Sequence, residues 1–200
     1  MNRLNKRTAA LGGAVLVAIA LALVVPRLVS SRGLSAAELK RADTARVASG
    51  TLEQRFALLS HQHTNQCGLT STNLDKLAVH GRLQGSCCRR MVFDRYVQQV
   101  TGLRAYAAVD EIPADPYDIP VSLAKRLTGY GNSITLTPAQ QAVYVQAVKL
   151  SDEHGPCCCH CWRWYAFQGQ AKALITRQHY AAAQIATVWN LEDGCGGGTA

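Results

Sequence analysis

The chain has 200 residues, with 21 Lys/Arg against 13 Asp/Glu and a formal net charge of +8. That length holds one domain plus appendages. The charge is uneven: residues 1–50 carry eight basic against two acidic residues (+6), and residues 51–200 carry thirteen against eleven (+2), so no basic stripe survives in the main body and nucleic-acid binding is excluded.

The first element is an apolar run. "MNRLNKR" is basic, and Ala9 to Val25 follows as 17 residues without a charge, closed by Pro26 and Arg27. A basic flank and an apolar stretch of this length predict a signal anchor over residues 1–26, crossing the membrane once. No A-x-A cleavage site follows the run. Keeping Arg3, Lys6 and Arg7 inside places the rest of the chain outside the cytoplasm. The expected localisation is therefore the cell membrane, with an envelope protein as a candidate partner.

Residues 27–50 read as a basic juxtamembrane stalk. Ser35 can cap a helix there, and Gly50 can end it. The compact domain is expected over residues 51–191. "TLEQRFALLS" places Leu52, Phe56 and Leu59 at helical spacing, and "STNLDKLAVH" begins at a Ser/Thr cap. "MVFDRYVQQVTGL" aligns Tyr96, Val97 and Val100. "PVSLAKRLTGY" opens on Pro120. "TPAQQAVYVQAVKLSDEH" has Thr137 as N-cap, Pro138 at the first helical position and Gln140 or Gln141 for a capping box. Two more helical segments follow, "CCCHCWRWYAFQGQAKALITRQ" and "AAAQIATVWNL". "NSITLT" is the best strand candidate. The predicted class is all-α: one transmembrane helix, then a Cys-rich domain of five to seven short helices.

Three segments do not read as helix. "SHQHTNQCGLTST" is a polar loop. "DEIPADPYDIP" is an extended connector expected to pack through Ile112, Tyr117 and Ile119. It lacks the ligand spacing and central glycine of a calcium loop. Residues 192–200 form a Gly-rich tail, expected to be flexible, that carries Cys195.

The chemistry lies in the thiols. Four of eight cysteines fall within "GPCCCHC". Gly155 and Pro156 predict a helix start, with Cys157, Cys158 and Cys159 in its first turn, where the helix dipole favours thiolate. At about 100° per residue, Cys157 and Cys161 share an inward face near Trp164, Cys158 lies within reach of it, and Cys159 points away. Cys87 and Cys88 in "GSCCRRM", and His61, His63 and Cys67 in "HQHTNQC", can meet that face. The expected ligand set is Cys157, Cys158, Cys161, Cys87, Cys88, Cys67, His61 and His63. Soft thiolates with histidine suit Cu(I) or zinc, and an iron–sulfur cluster less well. The expected role is capture, storage or transfer of that ion. Two other readings use the same residues: a disulfide-stapled envelope scaffold, and a thiol oxidoreductase using the C-x-x-C pair Cys158 and Cys161. No Ser/His/Asp group, phosphate loop or paired catalytic carboxylate is present.

Overall fold

The computed structural model describes residues 33–196. Its helices are α1 (Ala36–Ala48), α2 (Leu52–Leu59), α3 (Ser71–Asp75), α4 (Phe93–Leu103), α5 (Val121–Ser133), α6 (Pro138–Leu150), α7 (Trp162–Gln178) and α8 (Ala182–Glu192), with a 3-10 turn at Arg104–Tyr106. Local chemistry starts several of them. Ser35, Thr51 and Thr137 each cap a helix reciprocally with Glu38, Gln54 and Gln140, so that two orphan backbone donors are satisfied at each start.

The all-α expectation requires correction. The fold is mostly helical, but it contains a two-stranded antiparallel ribbon, β1 (Arg82–Gln84) and β2 (Asp118–Pro120), with Leu83 opposite Ile119. The ribbon arises where the sequence suggested only a connector. Three prolines keep residues 110–120 out of a helix, and pairing with β1 satisfies the backbone that they leave open. Ile112, Tyr117 and Ile119 are all buried there. "NSITLT" instead ends α5 and leads into the cap of α6. The expected membrane span, residues 1–26, lies outside the described residues. Among the described residues no helix is long and apolar enough to cross a membrane.

Where a stalk had been expected, α1 belongs to the compact unit that begins at Leu34. It is held by charge. Asp118 on β2 accepts Arg46 of α1 at 3.1 Å, Arg55 of α2 at 3.1 Å and Arg82 of β1. Arg82 also pairs with Asp43 of α1 at 2.6 Å, and buried Lys40 donates to the Ile112 carbonyl. Arg55 further meets Asp115 at 2.9 Å, and Asp115 also accepts the Tyr96 hydroxyl and the Tyr117 amide.

Around α7 sits the main core, which includes Trp162, Phe167, Leu174, Ile185, Val188 and Trp189. α5 crosses α7 at Gly131 and Gly169. A Cβ at Gly169 would run into the Leu127 carbonyl oxygen, so only glycine permits this backbone approach. A smaller cluster of Leu59, Met91, Tyr96, Val100 and Tyr117 lies under α2 and α4.

Two outcomes test this account. Gly169→Ala should lower stability by about 1–3 kcal/mol or more through overpacking, read by thermal unfolding. Gly129→Ala, where a Cβ meets nothing within 4 Å, should leave it unchanged or raised. Burial alone would raise the Asp118 carboxyl, but Arg82 and then Arg46 outweigh it and hold the group below its ordinary 3.8. A depressed carboxylate gives stability above its unfolded value that is lost as pH falls through the folded one. Asp118→Asn should therefore lower the Tm at neutral pH and flatten its fall below pH about 4.

Candidate metal centre

Four chain segments carry the thiols to one place. The first is the loop between α2 and α3. Asn65 fixes it: its backbone N–H donates to the Gln84 carbonyl at 3.1 Å, its side chain donates to the Gly85 carbonyl at 2.8 Å, and its Oδ1 accepts from Trp162 Nε1 at 3.0 Å. The Trp162 amide donates to Leu69 at 2.9 Å, so the loop that carries Cys67 is strapped to the start of α7. The second segment leaves β1 through Gly85, whose φ of 87° and contact with Gln62 backbone suit only glycine. Cys87 and Cys88 follow.

The third segment is the stretch before α7. Here the expected helix start is corrected. α7 begins at Trp162 with Cys161 as its N-cap, and Cys157, Cys158 and Cys159 lie in irregular chain. The physical reason is tertiary. His154 and Gly155 take positive φ, Gly155 leaves room for the Trp164 ring, and the Trp162 amide is bound by Leu69 from outside. The fourth segment follows α8, where a flexible tail had been expected. Residues 193–196 are docked: Cys87 donates its amide to Gly194 at 3.0 Å, Arg89 donates to Cys195 at 2.8 Å, and Gln99 donates to Asp193 at 2.6 Å.

The eight sulfurs form one connected set. Cys67 meets Cys88 at 2.6 Å and Cys159 at 3.4 Å. Cys87 meets Cys88 at 3.5 Å and Cys195 at 3.6 Å. Cys195 meets Cys157 at 3.7 Å and Cys158 at 2.9 Å, and Cys158 meets Cys88 at 3.8 Å. Cys161 joins through Cys157 and Cys87. None of the eight is joined in a disulfide bond. Cys157, Cys161 and Cys195 are buried, Cys87 and Cys159 half-buried, and Cys67, Cys88 and Cys158 exposed.

The histidines do not join. His61 and His63 are exposed, and the groups of side chains placed to hold an ion are made of cysteine alone. Two cysteines outside the expected ligand set do join, Cys159 and Cys195. Cys159 was lost to the helical projection. Cys195 was lost to its glycines, which serve close packing: a Cβ at Gly194 would strike the Arg163 guanidinium, and one at Gly196 the Arg89 carbonyl. The C-x-x-C pair is divided. Cys158 is exposed beside Cys88 and Cys195, while Cys161 is buried beside Cys157 and Cys87.

Electrostatics favour one early thiolate. Hydrogen bonds from Cys161, Cys195 and Cys87 hold the Cys157 thiol far below its ordinary value. The same bonds push Cys87, Cys161 and Cys195 up. Burial, then Cys67, pushes Cys88 up to about 12. Beneath the inner thiols lies Arg163, 1% exposed. It donates to the carbonyls of Pro116, at 3.0 Å, and Glu192. Its face lies 5.4 Å from Trp162 and 4.9 Å from Phe167. Burial weakens its charge, and the nearby Cys87, Cys157, Cys195 and Cys161 restore it. Among the described residues no carboxylate forms an ion pair with it.

No protein-family model matches this chain, and comparison with curated proteins and with solved structures found no significant match. Function is therefore read from the site, whose cysteine groups have the spacing to hold a metal ion.

Arg163→Lys keeps the charge but loses the planar fork that spans two carbonyls. The substitution should cost about 1–3 kcal/mol of stability, seen in denaturant unfolding. It should also loosen the segment after α8, seen as faster hydrogen exchange at the Cys87 and Arg89 amides.

Proposed function

We propose that this protein captures and holds a thiophilic metal ion, Cu(I) or Zn²⁺, through cysteine thiolates, for storage or handover. The observation that carries the reading is the convergence of cysteines from four segments, in groups whose sulfurs all lie within 4.8 Å of one another. Thiolates around one tetrahedral zinc, with bonds of about 2.3 Å, stand about 3.8 Å apart. An all-sulfur donor set is also soft enough for Cu(I). Absence of histidine from the groups removes the mixed-donor argument against an iron–sulfur cluster. A single-ion thiolate site is the simpler fit, because such a cluster needs inorganic sulfide as well as iron. Exposed Cys67, Cys88 and Cys158 support exchange with a donor or acceptor at the surface. The buried Arg163 guanidinium supports an anionic inner set.

The test is metal binding by the full chain, purified under reducing conditions without chelator. Native mass spectrometry should show bound Cu(I) or zinc that is lost on acidification, because protons compete for thiolate. Cys157→Ser with Cys161→Ser should lower the amount of metal that survives a chelator challenge. His61→Ala with His63→Ala should leave it unchanged. A metal-free protein whose mass is lighter by the hydrogens of its disulfides would sink the reading in favour of a stapled scaffold.

A further inference from the structure

The thiols outnumber what one ion can use. A zinc or copper ion takes at most four thiolates, and here seven sulfurs meet in an unbroken series with Cys161 beside it. The groups placed to hold an ion also overlap in a particular way. Cys67, Cys87, Cys88 and Cys159 form one group, with every sulfur within 4.8 Å of the others. Cys87, Cys157 and Cys195 form another, and the two groups share only Cys87. Cys161 lies outside these groups, buried next to Cys157 and Cys87, with which its thiol interacts.

Resting on the metal-binding reading above, we propose that the centre holds two ions bridged by the Cys87 sulfur. The inner ion takes Cys157, Cys195 and Cys87, with Cys161 beside them as the thiol that closes on the ion when it binds. The outer ion takes Cys67, Cys88, Cys159 and the other lone pair of Cys87. A thiolate sulfur has lone pairs enough to bind two soft cations, and sharing it lowers the negative charge gathered in the interior. The position of Cys87 fits a bridge. It is half-buried, between three buried thiols and the exposed pair Cys67 and Cys88.

Burial gives the two ions different lability. The inner ligands Cys157 and Cys161 are 2% exposed and Cys195 6%. Arg163 beneath them compensates part of their charge. The outer ion faces solvent through Cys67 and Cys88. The eighth thiol, Cys158, belongs to neither ion and lines a cavity of about 380 Å³ together with Cys88 and Cys195. These three sulfurs form a group of their own, joining one outer ligand to one inner ligand. An ion moves inward there by ligand exchange. At each step one metal–sulfur bond forms and one breaks, and the incoming thiol gives its proton to the departing thiolate. No oxidant or reductant is required.

Zn²⁺ and Co²⁺ are the probes, on the full reduced chain. Native mass spectrometry with excess Zn²⁺ should give two ions per chain, and chelator challenge should remove them in two phases. Cys67→Ser with Cys159→Ser should retain one ion, the slow one. Cys158→Ser should keep both ions and slow the loading of the inner site several-fold. Titration with Co²⁺ should raise the paramagnetic signal with the first equivalent and lower it with the second, through coupling across the shared sulfur. One ion per chain, or release of both ions in a single phase, would overturn the two-ion centre and leave metal binding standing. Two ions whose Co²⁺ signals simply add would overturn the bridge. No ion at all would remove the metal-binding reading, and this proposal with it. Circular dichroism of each variant separates ligand loss from unfolding: an outer-pair variant that keeps its helical signal yet loses both ions also overturns the proposal.

Discussion

A guanidinium taken out of water must find hydrogen-bond acceptors and negative charge, and the packing around Arg163 supplies acceptors to its two terminal nitrogens while its Nε stays without a partner. Its two donors reach carbonyls on separate segments, Pro116 before the ribbon and Glu192 at the end of α8. Gly194 packs against it so closely that no side chain fits. The groups beside it that favour its charge are the inner cysteines, and its charge in turn favours ionisation of the Glu192 carboxyl. Glu192, whose carboxyl burial pushes up to about 8, offers its backbone instead of an ion pair. An uncompensated buried charge is costly. The fold therefore places the ribbon, α7, α8 and the cysteines around one buried cation, and thiolates bound to a metal ion would compensate its charge.

The rest of the scaffold holds this arrangement in register. Asp118 gathers arginines from α1, α2 and β1, which fixes the ribbon relative to the first two helices. The ribbon then delivers Cys87 and Cys88 through Gly85. Asn65 bridges the ribbon and α7 and so places Cys67. Gln99 of α4 holds the carbonyl of Asp193 and links the small core to the segment that carries Cys195. Sulfurs distant in sequence thus meet through polar contacts of single side chains, each a small part of the buried surface. Graded exposure follows, from buried Cys157 and Cys161 to open Cys67 and Cys158, and that gradient gives the site a sheltered side and a side open to exchange.

Several local features were legible in the sequence. Ser35, Thr51 and Thr137 start helices because a cap needs only neighbours within four residues. Inward burial of Cys157 and Cys161 was also legible, although the helical projection behind it was not what the chain adopts. They are buried in irregular chain and at an N-cap, and the same projection wrongly sent Cys159 away from the site. His61 and His63 looked like ligands by residue type and spacing. The loop instead turns on Asn65, which neither motif nor periodicity marked. Cys195 looked tethered to a loose tail, since glycine reads as freedom when its neighbours in space are unknown.

By itself the sequence determined where the capped helices α1, α2 and α6 begin, that cysteine dominates the site, and that the charge excess lies at the N-terminal end. These depend on residue identity and on contacts a few positions apart. Only the tertiary structure decided that the proline-rich connector pairs as a strand, that α1 joins the domain, that histidine stays outside the thiol cluster, and that all eight cysteines converge. Those outcomes rest on contacts across tens of residues: Arg46 with Asp118, Asn65 with Trp162, Cys87 with Gly194. Such pairings are selected by burial and charge compensation over the whole chain, and no local pattern encodes which partner each residue will meet.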